Sequence, residues 1–122
     1  MPDQSPNLQV KTRAYRFSID VIHFIDKESE KRKIYYSLTD QLIRSSTSIG
    51  ANIIEAKSSS SKKEFIRYFE IALKSANETK YWLCLLRDAL LCDNEKIASL
   101  LKEAEEISKM IARSIITLKA KK

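Results

Sequence analysis

A chain of 122 residues, 43% hydrophobic and 31% charged, is sized and composed for one globular domain and leaves no room for a second. Its apolar runs fall far short of the ~20 residues a membrane-spanning helix needs, and the opening MPDQSPNLQV lacks the charged start and apolar run of a signal peptide, so a cytoplasmic location is expected. The net charge of +6 admits an anionic partner, although such modest basicity also serves solubility alone.

Both prolines, Pro2 and Pro6, fall at the start, and Gly50 is the single glycine. Hairpins and sheet turns need residues that tolerate φ > 0, so helices are what remain. Residues 1–8 read as a flexible tail. A first helix is expected over about 9–26, where Val10, Ala14, Phe17, Val21 and Phe24 recur at helical spacing. The run Lys27-Glu-Ser-Glu-Lys-Arg-Lys33 then reads as a charged connector. A second helix, about 33–57, keeps Leu38, Leu42, Ile49 and Ile53 on one stripe. Ser58–Ser61 is a polar turn, and Ser61 with Glu64 forms a capping box that opens a third helix, about 62–91. Along that helix Phe65, Phe69, Ala72, Ala76, Thr79, Leu83, Leu86 and Leu90 make an unbroken heptad seam. Asp93-Asn94-Glu95 supplies an N-cap and first-turn acids for a fourth helix, about 94–120, whose stripe is Ile97, Leu100, Ala104, Ile107, Ile111, Ser114 and Leu118. Short connectors between long helices favour antiparallel neighbours. The expected fold is therefore all-α, an up-down-up-down four-helix bundle over 9–120.

Two features of the third helix bear on assembly and chemistry. A second stripe, Ile71, Ser75, Glu78, Trp82, Leu85 and Ala89, runs beside its core seam, and a widened apolar arc needs another surface to cover it. Tyr81, Trp82 and Leu85 are the candidate oligomer contacts, against the plainer reading that Trp82 caps the core of one subunit. Cys84 and Cys92 lie in an apolar helical stretch and lack the spacing of a zinc site or redox pair, so they read as reduced packing residues.

On the second helix Gln41, Ser45, Ser48, Asn52 and Glu55 form a polar line with Arg44 beside it, and Glu78 faces it from the third. Small hydroxyls beside an amide let helices approach closely and hydrogen-bond across the gap, a device that fixes register or partner choice. Catalysis is not expected. Glu55 and Glu78 could pair as carboxylates, but the sole histidine, His23, sits on the first helix without ligand-spaced companions. No metal or other cofactor is implied.

The run Gln41-Leu-Ile-Arg44-Ser45-Ser-Thr-Ser48-Ile49-Gly-Ala-Asn52-Ile53-Ile-Glu55 resembles the core motif of a bacterial family of small four-helix proteins. Its founders are encoded in intervening sequences of large-subunit ribosomal RNA genes. Glu64-Phe65, Phe69-Glu70-Ile71-Ala72 and Ser75-Ala76-Asn77-Glu78 are similar to a second block, and Glu106-Ile107-Ser108-Lys109-Met110 with Leu118-Lys119 to a third. The resemblance covers residues from about 9 to 119. Ala56 and Lys74 stand where the family commonly has glycine, and each favours helix continuity. The resemblance implies an antiparallel bundle assembled as a homopentamer. It also extends to the accessory proteins of diversity-generating retroelements, which work with a reverse transcriptase and nucleic acid.

In an up-down-up-down bundle both chain ends and the turn between helices two and three share one end. Lys11, Arg13, Arg16, Lys57, Lys62, Lys63, Lys119, Lys121 and Lys122 gather there against Asp3, Glu55 and Glu64, which together account for the whole net charge of +6. Repeated around an oligomer, that end becomes a phosphate-binding surface for RNA or DNA, with no motif for reading bases. The function expected is a non-catalytic oligomeric adaptor for nucleic acid, structured RNA foremost. Its rival is a protein–protein scaffold for a partner enzyme such as a reverse transcriptase.

Overall fold

The computed structural model describes residues 6–90, 92 and 94–121, and these residues form four helices and no strand. The helices are α1 (Pro6–Lys31), α2 (Tyr36–Lys57), α3 (Lys62–Leu90) and α4 (Asn94–Ala120). Each heptad stripe turns inward. Val10, Ala14, Phe17, Val21 and Phe24 of α1 meet Leu42, Ile49 and Ile53 of α2, Phe69, Ala72, Ala76, Leu83 and Leu86 of α3, and Ile97, Leu100, Ala104, Ile107 and Ile111 of α4 in one core. Full burial of the valine, leucine, isoleucine and phenylalanine side chains among them stabilises by about 1.5–3 kcal/mol each, the term that offsets the entropy of ordering the chain.

Packing is between chain neighbours and between the first and last helices, α1 with α2, α2 with α3, α3 with α4 and α4 with α1. Four sets of contacts define the register. Ala14 and Ser18 of α1 lie against Gly50 and Ser46 of α2. Ser45 and Ser48 of α2 bond Thr79 and Ser75 of α3. Glu70 and Lys80 of α3 pair with Lys119 and Glu105 of α4, and Asn7 and Arg13 of α1 with Ser114 and Glu103 of α4. In every set the numbers rise along one helix as they fall along the other.

The structure moves three boundaries. α1 begins at Pro6, inside the segment expected to be tail. Proline suits the first helical position because its missing N–H would have no partner there. α1 also continues to Lys31, through most of the expected charged connector. The reason is Glu28, which falls four residues after Phe24 as the next position of the core stripe and is only 1% exposed. Arg32 compensates it: Nε donates to Glu28 Oε2 at 3.1 Å and Nη1 to the Leu90 carbonyl at 2.8 Å, so one guanidinium joins α1 to the end of α3. α2 starts at Tyr36 instead of about 33, with the Tyr35 carbonyl accepting from the amides of Leu38 and Thr39. The described part of α3 runs to Leu90, and residue 91, the expected end, lies outside the described residues; buried Cys92 is not helical. At the α2–α3 turn, Ser61 Oγ accepts from the Glu64 amide at 3.1 Å, one half of the expected capping box. Asp93 lies outside the described residues.

Candidate nucleic-acid interface

The basic end is assembled by the register of the helices. Lys57 closes α2 and Lys62 and Lys63 open α3, so the serine turn carries exposed cations on both sides. The Lys62 ammonium donates to the main-chain carbonyl of Lys121, just beyond α4, which brings the start of α3 and the end of α4 together. Lys57, Lys63 and Lys121 make no ion pair among the described residues, so their charge is available to a ligand.

Other expected cations are spent or lie elsewhere. Arg13 is held by Glu103 of α4, Nε to Oε2 at 2.9 Å and Nη2 to Oε1 at 2.5 Å, and this two-pronged bond raises the guanidinium pKa still further. Its side chain reaches along α4 towards the far end. Lys119 is paired with Glu70 at 3.2 Å. Lys11 is half-buried at a groove between α1 and α2 that also holds exposed Tyr15, and Arg16 lies exposed on α1. Lys122 and Asp3 lie outside the described residues. Charges counted by sequence position miss Glu70 and Glu103, which reach the cluster's members from neighbouring helices.

The polar line of α2 divides in two. Ser45, Ser48 and Asn52 enter the seam with α3. Thr79 Oγ1 and Ser45 Oγ share a 2.9 Å hydrogen bond, and Thr79 also donates to the Ser75 carbonyl at 2.8 Å. Ser48 Oγ meets Ser75 Oγ at 3.0 Å and accepts from Asn52 Nδ2 at 2.9 Å. These hydroxyls satisfy one another inside the seam, the condition under which buried polarity ceases to cost stability. Gln41, Arg44, Glu55 and Glu78 stand outside, all exposed, and Arg44 pairs with Asp40 at 2.9 Å. The expected network thus loses four members and gains Ser75 and Thr79; at the α1–α2 contact the Ser18 hydroxyl donates to the Ser46 carbonyl, and the Ser46 hydroxyl turns back to the Ile43 carbonyl of its own helix.

A family profile described as 23S rRNA-intervening sequence protein matches residues 6–113. The chain belongs to that family. Its fold is similar to the crystal structure of a Bacteroides thetaiotaomicron protein of unknown function from the S23 ribosomal protein family, at 34% identity and a TM-score of 0.85. That similarity covers 91% of this chain and 98% of the other. None of the curated proteins matches significantly.

Within this family member the expected oligomer contacts separate. Tyr81 is 62% exposed beside a shallow groove of α3 and α4 that includes Glu70, Glu78 and Ile115. Trp82 and Leu85 are half-buried, and Trp82 packs on the core with its ring edge-on to Tyr81 at 5.1 Å. The buried Trp82 Nε1 has no acceptor among the described residues. A larger exposed apolar set went unnoticed in the sequence: Tyr15, Ile19 and Ile22 on α1, at spacings of four and three, with Ile54 on α2. The signal was present as a second helical stripe on α1, masked by the stronger core stripe beside it. Arg113 was missed as well, an exposed cation sharing a cleft with Lys121.

Proposed function

We propose that this family member is a non-catalytic RNA-binding accessory protein, an antiparallel four-helix bundle that assembles as a homopentamer and holds structured RNA by its phosphates at the basic end. The observation that carries the reading is the cluster of Lys57, Lys62, Lys63 and Lys121 around the α2–α3 turn and the end of α4. The family's description, which refers to intervening sequences of 23S rRNA, points to the same ligand class. Helix register supports the antiparallel arrangement, and the exposed stripe of Tyr15, Ile19, Ile22 and Ile54 supports assembly, because apolar area of that kind is stabilised when a partner covers it. Cytoplasmic residence accompanies the RNA reading.

Replacing Lys62, Lys63, Lys121 and Lys122 together with glutamine tests it. RNA affinity falls and the slope of log affinity against log salt flattens by up to about 0.9 per lost phosphate contact, while the assembled mass is unchanged. Equal binding and an equal salt slope in this variant refute the basic-end site. The same apolar stripe favours a second reading, a scaffold for a partner enzyme such as a reverse transcriptase. Under that reading Ile19→Ser abolishes partner capture and RNA affinity is negligible at any salt.

A further inference from the structure

The ends of α1 and α4 enclose a cleft of about 490 Å³ that adjoins the basic end, since Lys121 belongs to both. Its chemistry is mixed in a particular way. Arg113 and Lys121 bring two positive charges, and none of the described residues that line it is acidic. Thr117 lies between them in sequence, one turn from Arg113 on α4, and Lys121 follows just beyond the end of the helix. Ser114 and Asn7 contribute neutral hydrogen-bonding groups. The Ser114 hydroxyl donates to Asn7 Oδ1 at 3.1 Å, which leaves the amide N–H groups of Asn7 as donors. Leu118 and Met110 supply apolar surface, and Met110 Sδ is fixed from behind by Arg13 Nη1 at 3.6 Å.

Three other clefts among the described residues lack this combination. The groove of α3 and α4 carries Glu70 and Glu78 against the single cation Lys74 among its described lining residues, a balance that disfavours anions. The groove of α1 and α2 is largely apolar, with Lys11 the one charge among its described lining residues. The hollow near His23 carries Lys27, Lys31 and Lys96, but it is built against the carboxylate of Glu28 and none of its described lining residues is a serine, threonine or asparagine.

We infer that the α1–α4 cleft receives one unstacked nucleotide of single-stranded RNA. Arg113 and Lys121 bind phosphates, Arg113 in the two-pronged manner open to a guanidinium. Asn7, Ser114 and Thr117 meet the ribose hydroxyl and base edge, and Leu118 and Met110 cover the base face. A nucleotide needs all three kinds of surface, whereas an inorganic anion needs only the first, and the cleft lies within the volume range of small-ligand pockets. This inference rests on the RNA-binding reading above and adds that RNA with an unpaired nucleotide is preferred to a blunt duplex.

The test uses the full-length protein and two labelled probes, a short oligoadenylate and a blunt RNA duplex carrying the same number of phosphates. Arg113→Gln, at an exposed position, weakens oligoadenylate about tenfold or more, the effect of losing one charged hydrogen bond, and changes duplex affinity far less. Ser114→Leu, which fills the cleft and removes the bond to Asn7, does the same, with folding checked by its helical signal. Oligoadenylate carrying one photo-reactive thiouridine cross-links to the segment 109–121. If both probes bind but neither variant separates them, the cleft is not a nucleotide site and the basic-end reading stands. If an oligoglutamate of equal charge displaces oligoadenylate as well as unlabelled RNA does, the cleft is a general anion site and the inference fails. Absence of binding by either probe at low salt overturns both readings.

Discussion

Replacing Arg32 with methionine is expected to lower the melting temperature by about 6–15 °C, a figure that follows from the pair it breaks. Glu28 is 1% exposed, and the guanidinium of Arg32 lies 3.1 Å from its carboxylate while also bonding the Leu90 carbonyl. Removing one partner of a fully buried ion pair costs about 3–5 kcal/mol. The Arg32 side chain is 33% exposed, so water screens part of the interaction and about 2–3 kcal/mol is the better figure. For a chain of this size each kcal/mol corresponds to about 3–5 °C. Glu28→Leu makes the contrasting case. It places an apolar side chain of similar volume at a core-stripe position and leaves the partly exposed Arg32 its bond to the Leu90 carbonyl, so its melting temperature should stay within about 3 °C of the parent or rise above it. Both are measured by circular dichroism at fixed protein concentration, since assembly would make the midpoint concentration-dependent. A melting temperature unchanged in Arg32→Met, or Glu28→Leu as damaging as Arg32→Met, would refute the claim that the carboxylate is tolerated in the core only because it is paired.

Three further outcomes are specific. Gly50→Ala should raise stability, by up to about 1 kcal/mol, because the added methyl group meets Ala14 Cβ at an ordinary 3.6 Å and alanine is the better helix former; a melt showing destabilisation would mean that α1 and α2 pack more tightly there. Thr79→Val preserves shape but deletes the hydroxyl that joins Ser45 to the Ser75 carbonyl, and chemical denaturation should register a loss of about 1 kcal/mol. Burial raises the Cys92 thiol above its usual pKa, so at pH 8 less of it is thiolate and a thiol-specific reagent should modify it more slowly than half-buried Cys84. Equal rates for the two cysteines would show that Cys92 is not shielded in the native protein.

The four core stripes were legible because each depends on local spacing alone: an apolar residue every three or four positions has to face the same way, and tertiary packing merely gives those faces a common interior. The end of α1 was not, and the cause is instructive. Glu28 keeps the stripe's spacing, but a carboxylate counts against burial unless its partner is known, and Leu90, which anchors that partner, is distant in sequence. The polar line on α2 was likewise half visible. Its period showed that the residues were aligned, whereas the α3 partners decided which of them entered the seam, and Ser75 and Thr79 had been placed on apolar stripes. Among the cations, position along the chain predicted the Lys62–Lys121 neighbourhood correctly. It did not foresee that Glu103 would hold Arg13 or Glu70 hold Lys119, because both carboxylates come from other helices.

The central claim, an oligomer that binds structured RNA through a basic end, is met most directly by the solution mass of the purified protein with and without a structured RNA, at low and at moderate salt. The reading predicts a pentamer that gains the mass of RNA at low salt and releases it as salt rises, because phosphate contacts give up their counterion-release advantage. A monomer would contradict the assembly, and a pentamer indifferent to RNA at every salt concentration would contradict the function.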